Sequence, residues 1–232
     1  MDKIVIISGG SSGLGLELAK KVIQRDLKVV ILGRDETKLE KASESLNSIV
    51  PNSAIHFACN IANEDKVKEL YQKLVKDYQI THLFNCAGTG KFGKAEDVTQ
   101  EMINEVFAGN LKGMILLSSH LLKNTSDNDG AMIVNIMSTA ALLGRAEESV
   151  YCAAKWGARG YTEALKAYTK GTNYKVIAIY PGGMNTTFWN ESGSNPDVSK
   201  FMSTEEVASK IIYSCFDVDS SLITDITINR AK

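Results

Sequence analysis

Between residues 8 and 15 the chain reads Ser8-Gly9-Gly10-Ser11-Ser12-Gly13-Leu14-Gly15, with four glycines in eight positions. Its flanks make this turn the strongest constraint on the fold. Upstream, Lys3-Ile-Val-Ile-Ile-Ser8 is a short apolar, β-branched run that reads as a buried strand. Downstream, Leu14, Leu18, Val22 and Ile23 alternate with Glu17, Lys20, Lys21 and Gln24 at helical spacing. Strand, glycine turn and helix, in that order, are the context a dinucleotide-binding loop requires. Glycine permits positive φ and lets the backbone approach a pyrophosphate closely. The helix N-terminus adds free N–H groups and a partial positive charge. The spacing is Gly-x-x-x-Gly-x-Gly rather than the commoner Gly-x-Gly-x-x-Gly, and an ordinary Gly/Ser turn is the alternative reading.

The same alternation continues along the chain. Strand patterns fall at 3–8, 28–33, 53–58, 82–85, 131–137, 174–180 and 221–228, with helical stretches near 14–25, 36–49, 63–77, 99–121, 149–170 and 204–215. This implies an α/β fold, a Rossmann-type doubly wound parallel sheet of about seven strands with helices on both faces. With 232 residues, no repeats and no composition shift, residues 1–232 suit one domain. Only Asn190-Glu-Ser-Gly-Ser-Asn-Pro-Asp197 has linker-like composition, and it reads as a loop inside the domain.

The second strand ends in Gly33-Arg34-Asp35. In folds of this kind the tip of that strand meets the adenine ribose, where an acidic residue favours a free 2′-hydroxyl and an Arg accommodates a 2′-phosphate. An uncharged Gly33 followed by Arg34, with Ser11 and Ser12 as extra donors, favours NADPH over NADH. Asp35 reads as the N-cap of the next helix.

Further along, Tyr151 and Lys155 stand four apart in Tyr-Cys-Ala-Ala-Lys, and Ser138 follows Ala131-Met-Ile-Val-Asn-Ile-Met137. On a helix beginning near Ser149, spacing of four stacks the phenol and the ammonium on one face. The preceding strand would deliver the Ser138 hydroxyl to the same place. A cation beside a phenol stabilises phenolate, so Lys155 is expected to lower the Tyr151 pKa from about 10 toward the working range. The trio suits acid/base work on a carbonyl or an alcohol, although a solvated helix face would show the same spacing.

Several function classes have little support. The formal net charge is −1 with Lys and Glu interspersed, which argues against nucleic acid as a partner. No apolar run approaches the roughly 20 residues of a membrane span. A first strand opening at Lys3 leaves no room for a signal peptide. Cys59, Cys86, Cys152 and Cys215 lack metal-ligand spacing and read as reduced thiols of a cytoplasmic protein, with Cys152 a small residue on a packed helix. His56, His82 and His120 do not cluster, so no metal site is expected.

Taken in order, these motifs resemble the short single-domain branch of the short-chain dehydrogenase/reductase family over nearly the whole chain. Ser8, Gly9, Gly13 and Gly15 meet its Thr-Gly-x-x-x-Gly-x-Gly, with Ser in place of Thr. Its Asn-Asn-Ala-Gly appears as Asn85-Cys86-Ala87-Gly88, and its adenine-contacting Asp as Asn60, followed by Ile61. Asn110 matches the catalytic Asn, Ser138, Tyr151 and Lys155 the other catalytic residues, and Pro181-Gly182-Gly183-Met184-Asn185-Thr186 the segment after the sixth strand. The resemblance implies a nicotinamide cofactor, NADP(H) with NAD(H) as the alternative. It would be held by Ser8, Gly9, Ser11, Ser12, Gly13, Leu14 and Gly15, by Gly33, Arg34, Asn60 and Ile61, by Asn85, Ala87 and Gly88, by Tyr151 and Lys155, and by Pro181, Gly182, Met184 and Thr186.

The same resemblance implies reduction of a ketone or aldehyde of a small molecule to an alcohol. Tyr151 would act as general acid, Ser138 would hydrogen-bond the carbonyl oxygen, and Lys155 would also bind the nicotinamide ribose. Asn110 would anchor a water that carries protons to Lys155. Alcohol oxidation and cofactor sensing without turnover are the alternatives. A homotetramer or homodimer is implied as well, and a substrate loop near 184–203. Phe188, Trp189 and Phe201 flank that loop, either lining an apolar pocket or packing in the core. Arg145, Glu147 and Glu148 read as solvated loop charges.

Overall fold

In the computed structural model, which describes residues 1–216 and 221–231, the amino-terminal apolar run forms β1 (Asp2–Ser8) and the amphipathic segment forms α1 (Gly13–Ile23). Then follow β2 (Lys28–Gly33), α2 (Glu36–Ile49), β3 (Ala54–Ala58), α3 (Glu64–Asp77) and β4 (Tyr78–Asn85). The second half carries α4 (Gln100–Phe107), α5 (Gly113–Asn124), β5 (Met132–Ile136), α6 (Ser149–Tyr168), β6 (Lys175–Pro181), α7 (Phe188–Ser192), α8 (Thr204–Phe216) and β7 (Asp225–Ile228).

All strand pairs are parallel, in the order β3-β2-β1-β4-β5-β6-β7. Alternation along β1 explains why its run is apolar throughout. Val5 and Ile7 enter the core under α1, α2 and α8, whereas Ile4 and Ile6 enter the opposite core with Leu70, Leu117 and Leu165. Both faces are thus covered by helices, as the doubly wound reading requires. The strand order reverses between β1 and β4, where Ser8 lies level with Leu32 on one side and Asn85 on the other. Crevices open at the carboxyl ends of strands at such a reversal.

Three elements differ from the sequence reading. The helix expected over 99–121 is two helices joined by a π-turn, Ala108–Lys112. The Asn110 side-chain amide takes the Val106 carbonyl at 2.8 Å, which an α-helix would reserve for Asn110's own N–H, and the ladder widens by one residue. A strand expected at 82–85 starts earlier, because Tyr78 and Gln79 pair with Asp2 and Lys3 at the sheet margin, where backbone pairing needs no apolar side chain. The last strand is confined to Asp225–Ile228 of the expected 221–228, and residues 217–220 lie outside the described part.

Candidate functional site

The crevice at the strand reversal is a cleft of about 740 Å³ that runs from the tip of β2 to α7. Its floor is the glycine turn. Gly9 has φ +69°, and a Cβ there would stand 2.9 Å from the Ala87 Cα; one at Gly15 would stand 2.2 Å from the Gly9 carbonyl oxygen. Neither contact can relax without moving backbone, so the turn is closed to larger residues at both positions. Ser11, Ser12, Gly13 and Leu14 line the cleft beside them.

Two residues of the expected set lie behind the wall. Ser8 is buried, and its hydroxyl accepts from the N–H groups of Cys86 and Ala87 at 3.0 and 3.1 Å, locking the end of β1 to the loop after β4. Asn85 is buried too, donating to Asn135 at 2.8 Å and Ser118 at 3.1 Å. Both hold the cleft's shape without lining it.

At one end, Gly33 and Arg34 line the cleft together with Lys38, a cation the sequence reading passed over. Lys38 sits in the first turn of α2, whose N-cap is Asp35 as expected; the Asp35 carboxylate accepts from the Lys38 N–H at 3.0 Å. Cation, cap residue and cation at 34, 35 and 38 was a readable signal for two positive charges at one helix start. Asn60 and Ile61 form the neighbouring wall, and Asn60 Oδ1 accepts from the Ala62 N–H at 3.1 Å.

At the other end, Asn110, Ser138, Tyr151 and Lys155 come together, with Ala87, Gly88, Pro181, Gly182, Met184 and Thr186 around them. Lys155 is 4% exposed, and its Nζ donates to the Ile136 carbonyl at 3.3 Å. Burial lowers its pKa to about 8. Asn110 is buried, with Nδ2 donating to the Thr89 and Val106 carbonyls at 2.7 and 2.8 Å. Its Oδ1 is buried with no partner and points at Gly88. A Cβ on Gly88 would meet that oxygen at 2.5 Å and Lys155 Nζ at 3.6 Å. An acceptor and an ammonium therefore converge on one small space, kept open because residue 88 has no side chain.

The sign of the Tyr151 shift differs from the sequence expectation. Burial pushes the phenol well above its ordinary range, and a hydrogen bond with Ser138 pulls partly back. Glu148 adds to the rise and Arg145 opposes it. Lys155 does not set the direction here. Its Nζ lies 5.6 Å from the Tyr151 ring centroid and is engaged with the Ile136 carbonyl, and both groups are desolvated.

Arg145 and Glu148 are not solvated loop charges, as the sequence reading had them; both line the cleft, 3.7 Å apart, and the Glu148 side chain is 15% exposed. Arg145 also donates to the Thr139 hydroxyl at 2.5 Å. Glu147, by contrast, is exposed. It holds a left-handed φ of +61°, the turn from which the chain enters α6 with Glu148 on the cleft side. Of the three aromatic residues near the substrate loop, Phe188 and Trp189 line the cleft, while Phe201 packs on Trp189 with ring centroids 5.2 Å apart. Phe92 lines the cleft as well and was not foreseen. Its loop has no periodicity from which to read a direction.

A parallel doubly wound sheet, with a glycine turn at the strand reversal and a Ser, Tyr and Lys at the carboxyl ends, defines a nucleotide-cleft enzyme class, and the comparisons place the chain within it. Residues 3–197 match the family model described as short chain dehydrogenase. A crystal structure of a short-chain dehydrogenase/reductase from Vibrio parahaemolyticus superposes with a TM-score of 0.86 at 35% identity, covering 97% of this chain and 96% of that one. An uncharacterized oxidoreductase, YusZ, of Bacillus subtilis is 31% identical over 195 residues, covering 83% of this chain and 69% of that protein. Carbonyl reductase family member 4 of Xenopus tropicalis is 27% identical over 219 residues, covering 92% and 91%. The chain belongs to the short-chain dehydrogenase family.

Proposed function

We propose that this oxidoreductase reduces a ketone or aldehyde group of a small molecule to an alcohol, with NADPH as the preferred hydride donor. One observation carries the reading: a buried phenol, hydrogen-bonded to Ser138, in a cleft whose far end holds Arg34 and Lys38. The relative in Xenopus tropicalis bears a carbonyl reductase's name, which supports the same chemistry.

The glycine cradle at Gly9 and Gly15 and the unpaired Asn110 Oδ1 fit a dinucleotide at this site. When bound, the nicotinamide supplies the hydride and the protein supplies position and charge. Gly9, Ser11, Ser12, Gly13, Leu14 and Gly15 would hold the phosphates at the start of α1, and Asn60 and Ile61 the adenine end. Ser138 donates to the substrate oxygen and stabilises the charge that develops on it. Tyr151 protonates the same oxygen, its phenol carrying the proton at neutral pH as tyrosine ordinarily does. Lys155 and Asn110 flank the Gly88 space through which a proton returns to Tyr151.

The test is NADPH consumption by purified protein across ketones, aldehydes, diketones and quinones. Turnover of one class is the expected result, and oxidation of alcohols with no carbonyl reduced at any pH would sink the reading. A second result is expected from Arg34→Ala. Losing a charged contact to the 2′-phosphate should raise the KM for NADPH about tenfold and leave that for NADH nearly unchanged. Equal losses for both cofactors would mean that Arg34 does not read the phosphate.

A further inference from the structure

We infer that the cleft over Tyr151 selects carbonyl compounds bearing an aryl ring, and that Phe92, Phe188 and Trp189 form the surface that receives the ring. This rests on the reductase reading above and names its substrate class.

Two separate segments bring these half-buried aromatic side chains to the acid. Phe188 lies 5.6 Å from the Tyr151 ring and Phe92 lies 5.5 Å from it, the latter edge to face at 72°. Phe92 and Phe188 stand 5.9 Å apart and tilted by 60°, and Trp189 meets Phe92 at 6.0 Å and 57°. The rings are held in place independently of any ligand. The Phe92 N–H donates to the Ser192 carbonyl at 2.6 Å, which ties the loop after β4 to α7. Trp189 donates from Nε1 to the Met184 carbonyl at 2.9 Å, with Phe201 behind it. Gly90 is pressed under Phe188, where a Cβ would meet the ring's Cζ at 2.6 Å.

Tilted rings present both faces and edges. A flat aryl group attached to the reacting carbon can pair with both, in offset and edge-to-face contacts, whereas an alkyl chain of equal size gains burial alone. Two ion pairs stand nearby, Arg145 with Glu148 at 3.7 Å and Glu105 with Lys91 at 3.5 Å, while the Lys155 ammonium is turned to the Ile136 carbonyl. The side of Tyr151 that faces Phe92 and Phe188 thus presents apolar rings, which suits an aryl group there.

The experiment compares kcat/KM, with NADPH in excess, for phenyl ketones and for alkyl ketones of the same carbon number. The aryl series should lead by about tenfold, the scale of one or two aromatic pairs. In Phe92→Leu and Phe188→Leu, which keep apolar bulk, the aryl-to-alkyl ratio should fall by about threefold each. Equal rates for both series in the wild-type protein, or variants that lose both series in parallel, would overturn the aryl selection and leave the reductase reading standing. No turnover of any carbonyl would overturn both. Should the variants fail to fold, the wild-type ratio alone decides.

Discussion

Tyr151→Phe should fold, bind the dinucleotide and lose turnover by about 10²–10⁴, the usual worth of a positioned general acid. The ring does structural work that Phe preserves: it packs against Phe92 and Phe188 and sits in the same apolar cluster as Val106 and Ala154. What disappears is one hydroxyl and its hydrogen bond to Ser138, worth about 1 kcal/mol of stability. Chemistry depends on that hydroxyl far more than folding does. Among the described residues no other proton donor with the same access stands beside Ser138, since Lys155 is turned to the Ile136 carbonyl and Arg145 to Thr139. Melting temperature, dinucleotide binding by fluorescence and kcat for the best substrate separate the three properties. A variant with kcat within threefold of wild type would move the acid to another residue, and loss of binding together with kcat would make the phenol part of the cofactor cradle.

What the sequence made legible was local. Lys3 to Gly15 carries strand, turn and helix within thirteen residues, and each signal is a contact between near neighbours: alternating burial in β1, a closed turn at Gly9 and Gly15, an apolar stripe on α1. Tyr151 and Lys155 share a helix, so their spacing held. Signals that depend on distant partners were not legible. The π-turn at Asn110 exists because a side chain claims a carbonyl and reaches Thr89, and hydrophobic periodicity over 99–121 cannot register a one-residue widening. Phe92 and Glu148 reach the cleft through loops whose path is set by long-range backbone bonds, including that from the Gly93 N–H to the Glu147 carbonyl at 2.8 Å. The direction of the Tyr151 shift failed for a related reason. Spacing brings a cation near a phenol, but only packing reveals that both are desolvated, and burial outweighs the charge.

Lys155→Met should stabilise the cofactor-free protein while abolishing turnover. Burial brings the ammonium from 10.5 down to about 8, so the fold works against the charged form. Below pH 8 both the folded and the unfolded chain carry the proton, and the full penalty stands, about 3 kcal/mol. Between pH 8 and 10.5 the unfolded chain binds more protons than the folded one, and this contribution to stability rises with pH. Other groups act in the opposite sense. Burial pushes the Cys86 and Cys215 thiols up to about 12, so they stay protonated in the fold while the unfolded chain ionises them above about 9, and stability falls there. The wild-type curve alone mixes these signs, whereas the difference between wild type and Lys155→Met leaves the lysine and its coupling to the Cys86 thiol. Met keeps the volume of the stem without the charge, so little cavity cost enters. At pH 7 the variant should be more stable by about 3 kcal/mol, roughly 6–12 °C in Tm. The gap should narrow steadily from pH 8 to 10 in denaturant titrations. A variant less stable than wild type at pH 7 would mean that the bond to the Ile136 carbonyl more than offsets the desolvation, and that Lys155 holds the cleft together. The expected pattern, stability gained where activity is lost, would mark Lys155 as a charge kept in the interior for its chemistry, at a standing cost to the fold.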